Sequence, residues 1–284
     1  MMKAWVIRLW VSSILLCLAA APARSRAQAV PSAAPPSQSK PAASDSESAE
    51  DAAYDALNTK HFDEAEKDFQ GILAKDPANE SALAGMGFVR LQQANFLGAI
   101  SYLEQAKQKD PSDRTVAAAL DTARFWSIMG EGQSALAAND LVAAEKNYRA
   151  ALELRTDSPE ALVGLGNTLL KAKQPQQAIA PFEKVVAAQP DSVDGWRGLV
   201  MAQYQAGHAP EALTADQRIP PAIQAQLKGD PAFVSALASV YKALGRDADA
   251  KKVLASAVTP SSPTEATPAP AKNGDQLQLA AGLS

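Results

Sequence analysis

The sequence predicts an all-α solenoid of about five to six helix hairpins, and two observations support this prediction. The first is a 34-residue pattern: residues 159–192 read PEALVGLGNTLLKAKQPQQAIAPFEKVVAAQPDS, and similar stretches lie on both sides of them. The second is the spacing of apolar residues by three and four within each half of the pattern, which is typical of amphipathic helices. Because one such unit cannot bury its apolar face alone, stacked neighbours are expected to share a continuous core.

Within residues 159–192 the pattern divides into two helices that should pack on each other. Leu165 and Leu169 fall on one face of the first helix, and a proline suits the first turn of the second, where a missing N–H costs little. Gly166 and Ala178 are the small residues on the facing sides, so the two backbones can approach closely. The unit is therefore predicted to be a helix hairpin.

The other repeats follow the same plan, with two departures. Units are predicted from about Ser46 to Asn79, from Glu80 to Asp113, from Pro159 to Ser192, from Val193 and from Pro231. Arg114 to about Ala138 is expected to form one long helix, because the signals of the following helix are displaced by eleven residues, about three helical turns. Pro220-Pro221 is expected to interrupt the second helix of the unit that begins at Val193.

The chain begins with a segment typical of a signal peptide. Lys3 and Arg8 precede an apolar run over residues 9–21, and Ala27-Gln28-Ala29 offers a small-x-small cleavage site. Residues 1–29 are therefore predicted to be removed, which leaves Val30 first. The alternative is an uncleaved membrane anchor, although the run is shorter than the roughly 20 apolar residues that a bilayer span needs.

Two further segments are predicted to be disordered. Residues 30–46 and 259–284 are rich in Ala, Pro, Ser and Thr and carry few large apolar residues, so they cannot bury enough surface to fold. The first is expected to be a linker and the second a C-terminal tail. The solenoid is then predicted to span residues 47–258.

Composition argues against catalysis, metal binding and nucleic-acid binding. Cys17, the only cysteine, lies in the predicted signal peptide, so the exported chain would have no thiol for a disulfide, a metal site or a nucleophile. His61 and His208 are predicted to lie in separate hairpin turns. Without the signal peptide, 23 basic side chains face 31 acidic ones, a poor match for nucleic-acid phosphates. No HExxH, GxSxG or glycine-rich phosphate loop is present, so we expect no enzyme, cofactor or metal site.

The concave surface of the solenoid is the predicted binding site. Stacked hairpins lay their first helices side by side along an inner groove. This groove is expected to be apolar and amide-lined with little charge, which suits an extended peptide, an amphipathic helix or a neutral polymer. The residues expected to face it are Phe88, Leu91, Gln92, Met129, Gln133, Val163, Asn167, Lys171, Arg197, Met201 and Tyr204. The alternative is that several of them contact the neighbouring repeat instead.

The long predicted helix carries Arg124 and Trp126. Both are expected to pack between repeats, with Arg124 bridging to an acidic side chain. The alternative is a cation–π or carbohydrate-stacking role for the indole of Trp126.

The repeated pattern in residues 46–257 resembles the tetratricopeptide repeat (TPR) superfamily, which implies a right-handed superhelical solenoid. Three stretches also resemble the periplasmic TPR region of bacterial cellulose synthase operon C proteins. These are GMGFVRLQQANFLGAISYLEQA (residues 85–106), TARFW (122–126) and IPPAIQAQLKGDPAFVSALASVY (219–241). This second resemblance implies a scaffold role near polysaccharide export in a bacterial cell envelope.

We therefore expect an exported, non-enzymatic scaffold that binds a protein partner in its groove, in envelope or exopolysaccharide export assembly. It is expected in the periplasm or secreted, with no nucleic-acid partner and no membrane span in the mature form. Two alternatives remain open. One is a direct polysaccharide-binding module that uses Trp126, Trp196 and Tyr204, and the other is a signal-anchored regulatory subunit of a membrane enzyme.

The signal-peptide hypothesis predicts the mass of the exported chain. Intact-mass spectrometry of protein recovered from an expressing bacterium is expected to show a chain that begins at Val30. A chain that retains Met1 to Ala29 would instead support the anchored regulatory subunit.

Overall fold

The computed structural model describes the backbone of residues 42–258 and the side chains of residues 46–256. The described part is all-α, as predicted: thirteen helices form six hairpins, with one short additional helix between the last two hairpins. The helices are α1 (Ala42–Asn58), α2 (Phe62–Lys75), α3 (Glu80–Gln92), α4 (Phe96–Lys109), α5 (Arg114–Ala137), α6 (Leu141–Leu154), α7 (Pro159–Lys171), α8 (Pro175–Ala188), α9 (Val193–Gln205), α10 (Ala209–Arg218), α11 (Pro221–Leu227), α12 (Pro231–Ala243) and α13 (Asp247–Val258).

The predicted signal peptide and C-terminal tail lie outside the described residues, as does most of the predicted linker. The described chain starts with α1 at Ala42, a few residues before the predicted start of the first repeat at about Ser46.

The helices stack in the order of the chain. Each hairpin helix packs against its partner, and the second helix of a hairpin also packs against the first helix of the next hairpin. The first helices contact one another as well, in the series α1, α3, α5, α7, α9 and α12. We call these six the inner helices and α2, α4, α6, α8, α10 and α13 the outer helices. This arrangement confirms the predicted solenoid.

Polar caps mark the start of the inner helices and reproduce the period of the sequence. The Oδ1 atom of Asn79 accepts a hydrogen bond from the backbone N–H of Ala82 at 2.8 Å, which satisfies one of the unpaired donors at the start of α3. The inner helices from the second hairpin onwards are capped in this way by Asn79, Asp113, Ser158, Ser192 and Asp230. The longest interval between successive caps is the one spanned by α5, whose 24 residues confirm the predicted long helix.

Every outer helix carries a fully buried alanine at one equivalent position, and in the first four hairpins the residue four positions later fills the space between hairpins. The alanines have no exposed surface and are Ala65, Ala99, Ala144, Ala178, Ala212 and Ala250. We call the position four residues later the wedge position. In the first four hairpins it holds large side chains with at most 2% exposure, namely Phe69, Leu103, Tyr148 and Phe182.

Glycines on the inner helices receive the aromatic wedges. A Cβ atom placed on Gly85 would lie 2.2 Å from the ring of Phe69, and one on Gly198 would lie 2.1 Å from the ring of Phe182. Phe182 is held on its other side by Gly166, where a Cβ would lie 2.6 Å from the ring. The wedge is therefore locked between the inner helix of its own hairpin and that of the next, at a distance that only glycine permits.

The long helix α5 joins two separate parts of the core. Its first half packs with α3 and α4 in one cluster, and its second half packs with α6 and the later helices in another. The rings of Phe96 and Trp126 stack at 6.4 Å where α4 begins. Arg124 pairs with Glu104 at 2.9 Å, which confirms the prediction that Arg124 bridges to an acid. The outer helix α4 thus packs on the first half of α5 and the outer helix α6 on the second half. We call this displacement of the outer helices along α5 the step.

The junction between the fifth and sixth hairpins uses a different filling. The chain leaves α10 at Arg218 and resumes at Pro221, which confirms the predicted interruption at Pro220-Pro221. The wedge position is held by Asp216, which is only 5% exposed. Apolar side chains of the interruption and of α11 fill the junction instead, and these are Ile219, Ile223 and Leu227.

The buried position of Asp216 is unfavourable for a carboxylate. Among the described residues, its Oδ1 atom has no hydrogen-bond partner. Burial raises the pKa of the Asp216 carboxyl group, and the charge of Lys228 acts in the opposite direction. A buried carboxylate without full pairing is costly, so its ionised form destabilises the folded chain.

The glycine contacts predict that Gly198→Ala lowers the free energy of unfolding by about 1–3 kcal/mol, because the added methyl group overlaps Phe182 and Gly166 blocks the ring from moving away. Chemical denaturation measures this loss. Gly71→Ala is the matched control: its site in α2 has no atom within 4 Å of an added Cβ. A gain of about 0.5–1 kcal/mol is expected there from helix propensity alone. Equal effects at the two sites would contradict the locked wedge.

The environment of Asp216 predicts that Asp216→Asn stabilises the chain at neutral pH. Because the folded-state pKa is raised, the wild-type chain loses stability as pH rises from about 3.9, the ordinary value for aspartate, through the folded-state pKa. Unfolding measured across pH 3 to 8 should therefore show the largest advantage of the variant at neutral pH and almost none at the acid end. Asp51→Asn, at an exposed position in the middle of α1, corrects for the change in net charge, and a pH-independent advantage of Asp216→Asn would contradict this account.

Candidate functional site

The inner helices form a continuous surface, and most of the predicted groove residues lie on it with part of their side chain exposed. On α3, Phe88 and Gln92 are half-buried, and on α7 the same holds for Val163 and Asn167. Half-buried Met201 and Tyr204 follow on α9, while Gln133 on α5 and Lys171 on α7 are exposed. Because neighbouring inner helices contact each other, these side chains lie along one series of adjacent helices.

Two predicted groove residues are corrected by the structure. Leu91 and Met129 are each 2% exposed and belong to the core. Leu91 clusters with Ala99 and Leu103 of its own outer helix, and Met129 clusters with residues of α6. Successive residues are about 100° apart around the helix axis, so a residue three positions from a groove residue is rotated by about 300°, which is only about 60° in the other direction. A small error in assigning the face therefore places an apolar side chain in the core.

The cations predicted for the groove are already engaged within the chain. Arg197 forms ion pairs with Asp194 of its own helix and with Asp230, the cap of α12, at 3.4 Å for the latter. The Nζ atom of Lys171 donates to the backbone carbonyl of Leu136 on the preceding inner helix at 3.3 Å. Arg197 therefore links the fifth and sixth hairpins, and its charge is largely balanced.

The two tryptophans proposed for carbohydrate stacking are committed to packing. Trp196 is 4% exposed, and its indole N–H donates to the carbonyl of Pro190 at 2.8 Å. The indole of Trp126 stacks on Phe96 and meets the edge of the Phe125 ring, with centroids 5.1 Å apart. Tyr204 lies half-buried on the inner surface, and Trp126 is also only partly buried. The burial of Trp196 argues against the alternative of a polysaccharide-binding module, because its ring belongs to the core of the fifth hairpin.

Arg155 is a structural residue at the step that sequence reasoning did not single out. Its guanidinium lies over the ring of Phe125 at 4.3 Å, and Nη2 donates to Oγ1 of Thr122 at 2.9 Å. Burial lowers the pKa of the Arg155 guanidinium, although not enough to discharge a group of this basicity. It ties the end of α6 to the middle of α5, a contact between residues 33 positions apart that no local pattern reveals.

Within residues 42–258, no group of three or more His, Cys, Asp or Glu side chains could hold a metal ion. His61 and His208 lie in the hairpin turns directly before α2 and α10, as predicted. None of the helices α1 to α13 is long and apolar enough to cross a membrane.

Comparison with solved structures finds several TPR proteins. YrrB, described as a TPR protein with an unusual peptide-binding site, is 15% identical, with a TM-score of 0.44, covering 67% of this chain and 90% of that one. MamA is 19% identical, with a TM-score of 0.38, covering 61% and 89%.

Two curated relatives match about three-fifths of the sequence. Cellulose synthase operon protein C of Xanthomonas axonopodis pv. citri (strain 306) is 31% identical over 176 residues, which is 62% of this chain and 11% of that protein. The protein of the same name from Pseudomonas fluorescens (strain SBW25) is 29% identical over 174 residues, or 61% and 14%. The matched region is thus a small part of these relatives.

Two family models, both described as tetratricopeptide repeat, match the solenoid itself. One matches residues 129–193, and the other matches residues 56–122 and 169–228. Together these segments cover more than half of the chain and include residues from all the hairpins up to α11. The 34-residue period, the stacked hairpins and these matches agree, and the chain belongs to the tetratricopeptide repeat family.

Proposed function

We propose that this chain is an exported, non-enzymatic scaffold that binds an extended or helical segment of a protein partner on its inner surface. The observation that carries this proposal is the unbroken series of inner helices, which presents a row of side chains with part of their surface exposed. Repeat proteins bind their partners on extended surfaces of this kind.

The chemistry of the inner surface suits a peptide with apolar and backbone contacts. Phe88, Val163 and Met201 offer partly exposed apolar surface on three of its helices. Completing the burial of such side chains is worth about 1.5–3 kcal/mol each at most, so several together support specific binding. The amide of Asn167 can donate to and accept from a peptide backbone. Because Arg197 is already paired, capture of a strongly acidic tail is disfavoured.

Two observations support a location of this chain in the bacterial cell envelope. The predicted signal peptide would carry the chain out of the cytoplasm, and the likeness to cellulose synthase operon protein C points to polysaccharide export. We propose that the partner is a protein component of an exopolysaccharide export assembly in the periplasm. Direct glycan binding is the weaker candidate, because Trp196 and Trp126 are held in the core and at the step.

The proposal predicts that a photo-crosslinking amino acid at Tyr204 captures a discrete periplasmic protein in living cells. The same amino acid at Val142, which is 82% exposed on the outer helix α6, is expected to capture nothing discrete. Equal capture at both positions, or none at either, would show that the inner surface is not the binding site.

A matched pair of substitutions then tests the surface with the captured protein. Val163→Asp places a charge among the half-buried inner residues and is expected to weaken binding by about tenfold or more, since 1.4 kcal/mol corresponds to a factor of ten. Val142→Asp introduces the same change on the outer side and should leave binding unchanged. Thermal unfolding of both variants checks the fold, and titration with soluble exopolysaccharide should release no heat if the ligand is a protein.

A further inference from the structure

Three of the five junctions between hairpins share one contact. The wedge of an outer helix packs against a glycine of the next inner helix, and the pairs are Phe69 with Gly85, Tyr148 with Gly164 and Phe182 with Gly198. In each pair a Cβ on the glycine would lie within 2.3 Å of the wedge ring. In each pair the large wedge side chain is the knob and the glycine is the socket.

One glycine of this kind receives no wedge. Gly130 lies on α5 where the second half of the helix begins to serve as the inner helix of the third hairpin, yet a Cβ there would meet no described atom within 4 Å. The reason is the step: α4 starts at Phe96, at the level of Trp126, and covers only the first half of α5.

The part of α5 that α4 does not cover, which we call the bare face, continues the face on which α4 packs nearer the start of the helix. Eleven residues are about three turns, so Gly130 lies above Ala119 and Glu131 above Leu120 on the same face. Ala119 and Leu120 are buried under α4, whereas Gly130 and Glu131 are exposed. Residues 127–137 of α5 span roughly 15 Å, nearly the length of the 12-residue helix α13, and their exposed members include Gly130, Glu131 and Gln133.

One wedge, in turn, has no socket among the described residues. Leu254 holds the wedge position of α13 and is 40% exposed, whereas the large wedges of the first four hairpins are exposed by at most 2%. Lys251 and Lys252, on the same helix, are exposed as well. Leu254 is thus an apolar knob beside two cations, and Gly130 is an open glycine beside an anion.

We propose that α13 of a second copy of this chain packs on the bare face of α5, with Leu254 over Gly130 and with Lys251 and Lys252 near Glu131. The contact repeats the geometry of the internal junctions. It is heterologous, because the knob and the socket lie on different surfaces, so it joins molecules head to tail and can extend beyond a dimer. The proposal does not depend on the proposed function. With one helix face on each side the interface is small, so association is weak and rises with concentration.

Sedimentation velocity of the purified full chain over a series of concentrations tests this interface. The wild-type chain is expected to show concentration-dependent growth beyond a dimer. Gly130→Leu fills the socket and Leu254→Gln removes the knob, and each is expected to weaken association by about tenfold or more. A mixture of the two variants retains one intact knob and one intact socket. It should form a 1:1 dimer and nothing larger, an outcome specific to head-to-tail contact.

Two controls keep the interpretation clear. Gly71→Leu alters another exposed helical glycine with open space around it and should not change association. Combining Glu131→Lys with Lys251→Glu and Lys252→Glu should restore association that the separate charge changes weaken. A wild-type chain that stays monomeric at all concentrations, as it would if residues 259–284 covered Leu254, overturns the proposal. Growth that Gly130→Leu and Leu254→Gln leave unchanged overturns it equally.

Discussion

The insertion of one large side chain against glycine between consecutive hairpins is the contact on which the rest of the solenoid depends. A helix hairpin has no core of its own, and its apolar surface is buried only when the next hairpin arrives. Phe182 shows the geometry: it is held between Gly166 of its own hairpin and Gly198 of the next. Because both approaches are closer than any Cβ would allow, these two glycines set how closely the fourth and fifth hairpins pack. The inner helices are thereby brought close enough to form one surface.

Where this contact is altered, the architecture changes with it. At the step, the outer helices shift along α5, the core divides into two clusters, and Phe96, Trp126, Arg124 and Arg155 tie the two halves together. At the junction of the fifth and sixth hairpins, Asp216 replaces the aromatic wedge and α11 supplies the missing apolar volume. The first change leaves an open helix face, and the second leaves a buried acid that weakens the fold. Both departures flank the regular hairpin of residues 159–192.

The inner surface follows from the same packing. Each inner helix gives one face to its own outer helix and another to the neighbouring hairpins, so only a narrow strip of side chains remains. Val163 and Asn167 lie on that strip, whereas Leu91 and Met129 fall on the core side. The distinction amounts to a fraction of a helical turn, and it separates a residue that can contact a partner from one that stabilises the chain.

The repeat, the hairpins, the long helix α5 and the interruption at Pro220-Pro221 follow from the sequence alone, because each rests on local physics: helical period, capping and the missing N–H of proline. Nine of the eleven residues that the sequence assigned to the groove lie on inner helices with part of their surface exposed. The burial of Trp196, the contact of Arg155 with Phe125 and the place of Asp216 in a wedge position became visible in the folded chain. These features depend on how far each helix is rotated and displaced against its neighbours. That is set by contacts between residues distant in the chain, such as Phe182 and Gly198, and a pattern read along one helix does not contain it.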